Sequence, residues 1–139
     1  ACDPQVWVDD PDVFDDVVTD EQWNAQVLRL ARRMPDLGVP SEKKGIVDLY
    51  DVSDDWIPIY DRTDLAGFYV AIGSSGNQFK NAPVAGYCMA ELIEAVEGGH
   101  DHDTDPVVVA GVYTGLEMDM GFYRRNREIN PNSSFSVNG

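Results

Sequence analysis

The stretch from Gly67 to Leu92 constrains the fold more than any other part of the chain. It begins with an apolar run that predicts a strand, continues through a loop rich in glycine and serine, and opens directly into a helix. This order of elements aims backbone N–H groups and the positive end of a helix dipole at whatever lies above the loop. It therefore predicts a place where an anion or a cofactor can bind.

The composition limits the classes of protein to consider. The 139 residues are 43% hydrophobic, which is enough for one modest core, and the formal net charge is −15. Such a surface repels nucleic acid and anionic membranes. The acidic residues are spread along the chain, which favours the cytoplasm of a halophile, where salt screens self-repulsion. An ordinary acidic protein of a mesophile is the alternative.

Cysteine content and hydropathy point to a reducing, aqueous compartment. Cys2 and Cys88 are too few for a disulfide framework and are not spaced as a zinc site, and we expect Cys88 to lie in the core. No apolar run approaches the roughly 20 residues of a membrane span, and no signal-peptide pattern is visible at the N-terminus. We therefore expect a soluble, cytoplasmic protein.

Local patterns predict an α+β fold with two main helices and a small antiparallel or mixed sheet. A capping box at Thr19 and Gln22 and apolar residues at helical spacing predict a helix from about Asp20 to Met34. The segment 45–60 is typical of a hairpin with its turn at 53–55.

The signature stretch itself adds a strand and a second helix. The apolar run 68–72 predicts a strand that is buried on both faces. A broadly apolar, largely buried helix is expected to start near Pro83 and to end at Gly98 and Gly99.

Two clusters of charged or polar side chains have competing interpretations. Arg124, Arg125 and Arg127 either compensate the acidic surface of the chain or dock onto another part of a larger protein. His100 and His102 lie in a polar loop with no third ligand identifiable, so we expect solvated histidines and no metal site.

The glycine-rich loop does not match the two common phosphate-binding motifs. Gly73-Ser74-Ser75-Gly76 fits neither the GxGxxG dinucleotide turn nor the phosphate loop. It resembles instead the C-terminal signature of the FAD-dependent amine and amino-acid oxidoreductases, the superfamily of D-amino-acid oxidase, glycine oxidase, sarcosine oxidase and dimethylglycine dehydrogenase. The matching pieces are GFYVAIG at 67–73, SGNQFK at 75–80, Ala-Pro at 82–83 and AELI at 90–93. Upstream, LYDVSDDWIPI at 49–59 extends the likeness.

The resemblance implies that residues 1–139 are a single domain, the C-terminal part of a longer flavoprotein. Residues 1–44 would hold a helix of the substrate domain, residues 45–99 the hairpin, flavin-loop strand and helix, and residues 100–139 a C-terminal segment. FAD would be bound mainly by an N-terminal Rossmann part of the same enzyme, which nothing before residue 40 can supply. The isolated fragment is expected to be inactive.

The resemblance also implies site residues. The loop that lies against the flavin would consist of Gly73, Ser74, Ser75, Gly76, Asn77, Gln78, Phe79 and Lys80. Lys80 would face the carboxylate of an amine or amino-acid substrate, and Tyr50 would line the substrate side. An exposed lysine and a packing tyrosine are the alternatives. Asn77 and Gln78 replace the usual His-Gly of the oxidases, which leaves the choice between oxidase and dehydrogenase open.

Two other functions compete with the flavoenzyme. The chain is either a non-enzymatic acidic interaction module or the small subunit of a split flavoenzyme. A module predicts a closed surface from Ser74 to Lys80, whereas a severed flavoenzyme predicts an open apolar face, or a homodimer that covers it. Loop amides that are turned inward and already bonded, with no room for a planar ring beside them, would contradict the flavin role.

Overall fold

The structure is a computed structural model that describes residues 6–135, so Cys2 lies outside the described residues. The chain forms two compact units that divide between Leu49 and Tyr50. Within the described residues there are two α-helices and two antiparallel sheets of two strands each. The α+β class, the two helices and the antiparallel pairing are thus confirmed.

The first unit contains helix α1 (Asp20–Arg33), and the prediction from its sequence is confirmed. The Thr19 hydroxyl accepts a hydrogen bond from the Gln22 amide at 3.1 Å, and the Gln22 side chain accepts one from the Thr19 amide at 3.2 Å. This capping box satisfies two of the N–H groups that a helix start leaves unpaired. None of the residues 6–49 is buried.

The second unit begins with an irregular segment that leads into a hairpin of β1 (Ile59–Arg62) and β2 (Tyr69–Ile72). Ile59 pairs with Ile72, and Arg62 pairs with Tyr69. The predicted hairpin over 45–60 is wrong, because no strand precedes Ile59 in the described chain. The turn at 53–56 exists and is closed by a backbone hydrogen bond from Trp56 to Ser53 at 3.0 Å, with side-chain bonds of Ser53 and Asp55 beside it. The second arm of the predicted hairpin pairs forward along the chain with β2 instead.

Helix α2 (Ala82–Glu97) packs against β1 and against β3 (Val108–Ala110), which pairs with β4 (Glu117–Asp119). Its predicted bounds are confirmed, but the prediction of a largely buried helix is wrong. Only Cys88 and Leu92 are buried, because a single face of the helix meets the sheets. The core is small: Tyr60, Cys88, Leu92, Val107, Val109 and Met120.

Strand β2 also differs from its prediction. It is not buried on both faces, and Ile72 at its end is 50% exposed. Only β1 pairs with β2, and Ala71 and Ile72 at the end of β2 are exposed. In the loop that follows β2, Gly73 and Ser75 are buried, whereas Gly76, Phe79 and Lys80 are exposed.

Candidate functional site

The loop that follows β2 has a tightly specified backbone. Gly73 and Gly76 have φ angles of 68° and 70°, and Ser75 between them has a φ of 49°. This left-handed region favours glycine. A Cβ atom at Gly73 would also lie 3.1 Å from Cβ of Ser53, so glycine at this position serves a close approach of the chain to itself.

The Asp51 carboxylate holds the first half of this loop. The amides of Gly73 and Ser74 donate to its two oxygens, the latter at 3.0 Å, and the Ser74 hydroxyl donates at 2.7 Å. The Ser75 amide donates to the backbone carbonyl of Asp51 at 2.8 Å. Burial acts to raise the pKa of Asp51, but these hydrogen bonds outweigh it and lower the pKa below its usual value.

These bonds change the expected role of three residues. The amides of Gly73, Ser74 and Ser75 were predicted to hold a cofactor, and they already have acceptors within the chain. A carboxylate in this place satisfies the donors as an external anion would. The three residues therefore position the loop, and the N–H groups that remain for a ligand lie further along it.

The second half of the loop leads into the start of α2. Gln78 accepts hydrogen bonds from the Tyr60 hydroxyl at 3.0 Å and from the Asn81 side chain at 3.2 Å. A 3-10 helix, Phe79–Asn81, continues directly into α2. No side chain caps either start, and neither first turn contains an acidic residue. The N–H groups of Phe79 and Lys80 are thus the candidates for an external acceptor.

The side chains at this helix start point away from the core. Phe79 is 99% exposed, which is unusual for a large aromatic residue. Lys80 is exposed beside it, and within residues 6–135 no carboxylate forms an ion pair with its ammonium group. Asn77 is half-buried, and its amide donates to the carbonyl of Ser74 at 3.1 Å. Tyr50, the predicted substrate-side residue, directly precedes Asp51 and is partly exposed.

An ionic cluster lies on the opposite strand of the hairpin and in the C-terminal segment. It consists of Asp61, Arg62, Asp64, Asp103, Arg124 and Arg125. Arg125 binds Asp61 and Asp103 at 3.0 Å each and Asp64 at 2.7 Å. Hydrogen bonds that Arg125 and Arg62 donate hold the pKa of Asp103 below its usual value. The pKa of Arg125 is raised because its guanidinium group donates to Asp103, Asp64 and Asp61. Arg125 therefore compensates acidic side chains of the chain itself, as expected, whereas Arg124 donates to the backbone carbonyl of Asp103 at 3.0 Å.

Arg127 belongs to a separate pair. Its guanidinium group binds the buried Asp55 and also donates to the carbonyl of Ile57 at 2.7 Å. A surface cavity of about 190 Å³ lies beside this pair, lined by Ser53, Asp54, Asp55, Ile59, Arg125, Arg127 and Ile129. Its two arginines are already engaged by carboxylates, so the cavity offers little free charge to an anion.

Of the two histidines that were expected to be solvated, one differs from that expectation. His100 is half-exposed and lies 2.6 Å from the carbonyl of Asp105. His102, by contrast, is 0% exposed, so the prediction of a solvated residue is wrong. It is buried because its ring fills the space between β1 and the start of β3. No group of three His, Cys, Asp or Glu side chains in residues 6–135 is placed to hold a metal ion.

Sequence reasoning missed the residues that organise the site. Asp51, Asp55 and Asp61 each bind residues between 22 and 75 positions away. Among 25 acidic residues, no local pattern distinguishes these three from solvated ones. The only signal was the position of Asp51 and Asp55 inside the stretch that carries the family resemblance.

No family model, no curated protein and no solved structure matches this chain. The resemblance to the flavin-dependent oxidoreductases therefore depends on the sequence motifs alone. In the described part of the chain, neither helix has the length and apolarity needed to cross a membrane.

Proposed function

We propose that this chain is the C-terminal part of a cytoplasmic, FAD-dependent oxidoreductase that oxidises the C–N bond of an amine or amino acid. The loop from Gly76 to Lys80 lies against the flavin ring in this proposal. Gly73, Ser74 and Ser75 act through Asp51 to fix the loop. An N-terminal part of the same enzyme supplies most of the FAD-binding surface.

The observation that supports this proposal most directly is the exposure of Phe79. It is 99% exposed at the start of a helix, and in the described part of the chain no side chain caps this start and no carboxylate pairs with the neighbouring Lys80. Burial of such a ring against a cofactor or another part of the enzyme would stabilise by roughly 2 kcal/mol. Phe68, Ile72 and Val84 are each at least half exposed in the same hairpin and helix. Exposed apolar side chains beside the loop are what a severed flavoenzyme would leave uncovered.

The chemistry of the helix start fits a flavin. Bound FAD would supply the acceptor for a hydride from the carbon next to the substrate nitrogen, and residues 76–80 would lie against its ring. Reduction places negative charge on the pyrimidine edge of the ring. The N–H groups of Phe79 and Lys80 and the positive end of the α2 dipole stabilise negative charge at this place. The Lys80 ammonium group holds a substrate carboxylate by charge.

Expression of the chain together with the N-terminal part encoded in its open reading frame tests the proposal. We expect a yellow complex that retains FAD through gel filtration. Lys80→Met should weaken the binding of an amino-acid substrate at least tenfold, whereas Lys44→Met, which removes an exposed lysine of the first unit, should have no effect. A colourless complex, or equal effects of both substitutions, would contradict the proposal.

A non-enzymatic interaction module is the second candidate. It is favoured by the internal hydrogen bonds of the Gly73, Ser74 and Ser75 amides, which close half of the loop without a ligand. This candidate predicts that the complex with the N-terminal part forms without flavin and that Phe79 contacts protein alone. Spectra of the purified complex separate the two functions.

A further inference from the structure

His102 is enclosed at the junction of three elements, and neither the core nor the proposed flavin site accounts for it. The side chain is 0% exposed and lies in the loop that joins α2 to β3. Its Nδ1 atom accepts a hydrogen bond from the backbone amide of Val107 at 3.0 Å. Its Nε2 atom lies 3.7 Å from Oδ1 of Asp61 in β1 and has no hydrogen-bond partner among residues 6–135.

These contacts fix the protonation state of the ring. Because the Val107 amide donates to Nδ1, that nitrogen carries no proton, and the proton of the neutral ring lies on Nε2. A second proton would have to occupy Nδ1, directly against the N–H of Val107. The charged ring and the Val107 hydrogen bond therefore exclude each other.

Charged groups face the ring from every side. Asp61 lies on β1, Arg124 follows the 3-10 helix Met120–Tyr123, and Asp103 and His100 belong to the same loop as His102. Asp61 is itself bound by the backbone amide of Arg125 at 2.8 Å and by its guanidinium group. The carboxylate beside His102 is thus already neutralised by a cation, which limits how far it can stabilise a second one.

We propose that His102 is an acid-sensitive switch for the loop at 100–106. Protonation breaks the hydrogen bond to Val107 and makes the buried position unfavourable, so the ring moves out to water. The loop carries Asp103, which binds Arg62 and Arg125. Movement of the loop therefore releases β1 from the ionic cluster. It also loosens the junction between the β1–β2 pair and the β3–β4 pair.

The sign of the pH dependence follows from burial. Burial lowers the pKa of His102 below its ordinary value of 6.5, and this effect together with Arg124 and His100 outweighs the opposing effect of Asp61 and Asp103. The folded state therefore binds a proton less readily than the unfolded state does. The contribution of His102 to stability is complete at pH values above its pKa in the unfolded state. As the pH falls from that pKa toward the pKa in the folded state, the folding equilibrium constant decreases about tenfold per pH unit.

Proton NMR and amide exchange of the whole chain test the switch. The chain has two histidines, so His100→Asn provides a matched control for His102→Asn. In the wild type we expect His102 to titrate below 6.5 and the Val107 amide to lose at least tenfold protection between about pH 7 and about pH 5, after correction for intrinsic exchange. His100→Asn should behave as the wild type.

The His102→Asn protein should lose this pH dependence, since the Asn amide oxygen can accept from Val107 but does not titrate. If this variant does not fold, the wild-type titration and the Val107 exchange decide. A Val107 amide that stays protected while His102 titrates, or a His102 that titrates at or above 6.5, would overturn the proposal. Acidification also reduces the magnitude of the net charge of −15, which lessens self-repulsion and stabilises the fold. This effect is opposite in sign to the destabilisation by protonation of His102.

Discussion

Arg127 binds Asp55 through two guanidinium nitrogens, with Nε 3.1 Å from Oδ2 and Nη2 2.6 Å from Oδ1. This bidentate pair joins the turn before β1 to the C-terminal segment. Amides of Ile57 and Asn130 also donate to Asp55, at 3.1 Å and 3.2 Å. The carboxylate thus has donors on both oxygens in a buried position, which is the geometry in which ion pairs matter for stability.

Removal of the Arg127 guanidinium group should therefore destabilise the fold. We expect Arg127→Met to lower the free energy of unfolding by about 3 kcal/mol, because it leaves the Asp55 carboxylate buried without its partner. The exposed Arg32 of α1 provides the control, and Arg32→Met should change stability by less than about 0.5 kcal/mol. Urea unfolding measures both. Equal losses in the two variants would show that the pair contributes nothing beyond a surface charge.

The Arg127–Asp55 pair should also affect the titration of the Asp55 carboxylate in acid. Burial acts to raise the pKa of Asp55, but hydrogen bonds from Arg127, Asn130 and Ile57 outweigh it and lower the pKa from 3.8 to about 2. A depressed carboxylate pKa contributes stability above its unfolded value, and this stability is lost as the pH falls toward the folded value. We expect the carboxylate ¹³C signal of Asp55 to titrate near 2 in the wild type. A midpoint at or above 3.8 would contradict this.

Asp51 should control the loop without affecting the core. Asp51→Asn removes the charge to which the Gly73 and Ser74 amides donate. We expect the free energy of unfolding to fall by about 1–2 kcal/mol and amide exchange from Gly73 to Ser75 to become about tenfold faster. The exposed Asp54, three residues away, gives the control Asp54→Asn. If both variants leave the loop amides equally protected, the carboxylate does not hold the loop.

The sequence was sufficient where local signals decide structure. Helix α1 has a capping box and α2 has proline at its start and glycines after its end, and both were predicted within about two residues. The strand pairing was not predictable in the same way. Ile46, Val47 and Leu49 have strand-forming side chains as β2 does, yet in the described chain they belong to no sheet.

The burial of His102 illustrates the same limit within the candidate site. The sequence Gly-Gly-His-Asp-His-Asp is polar throughout and predicts a solvated loop. The structure turns this loop inward because Asp61, Arg62 and Arg125 supply partners for its charged groups. These partners lie 22 to 41 residues away from Asp103 and His102 in the chain, so no short window of sequence contains the signal.

Two carboxylates that bind the same guanidinium group should contribute differently to the free energy of unfolding. Arg125 binds Asp61, which is 0% exposed, and Asp64, whose side chain is 91% exposed. We expect Asp64→Asn to change the free energy of unfolding by less than about 0.5 kcal/mol, since water screens the exposed pair. Asp61→Asn should cost about 3 kcal/mol. Urea unfolding of the two variants at one salt concentration measures the difference, and equal costs would refute the assignment of Asp61 as the buried centre of the cluster.

Cys88 should be chemically silent in the folded protein. Burial raises the pKa of its thiol, with Glu91 adding to the effect, so little of the reactive thiolate forms near neutral pH. In a Cys2→Ser protein, we expect a thiol reagent to label Cys88 at least about 10³-fold more slowly than a free thiol, and the labelling to follow global unfolding in urea. The half-exposed Val84 on the same helix provides the comparison. A Val84→Cys protein that lacks both native cysteines should be labelled at once, whereas fast labelling of Cys88 without urea would mean that the face of α2 against β3 opens on its own.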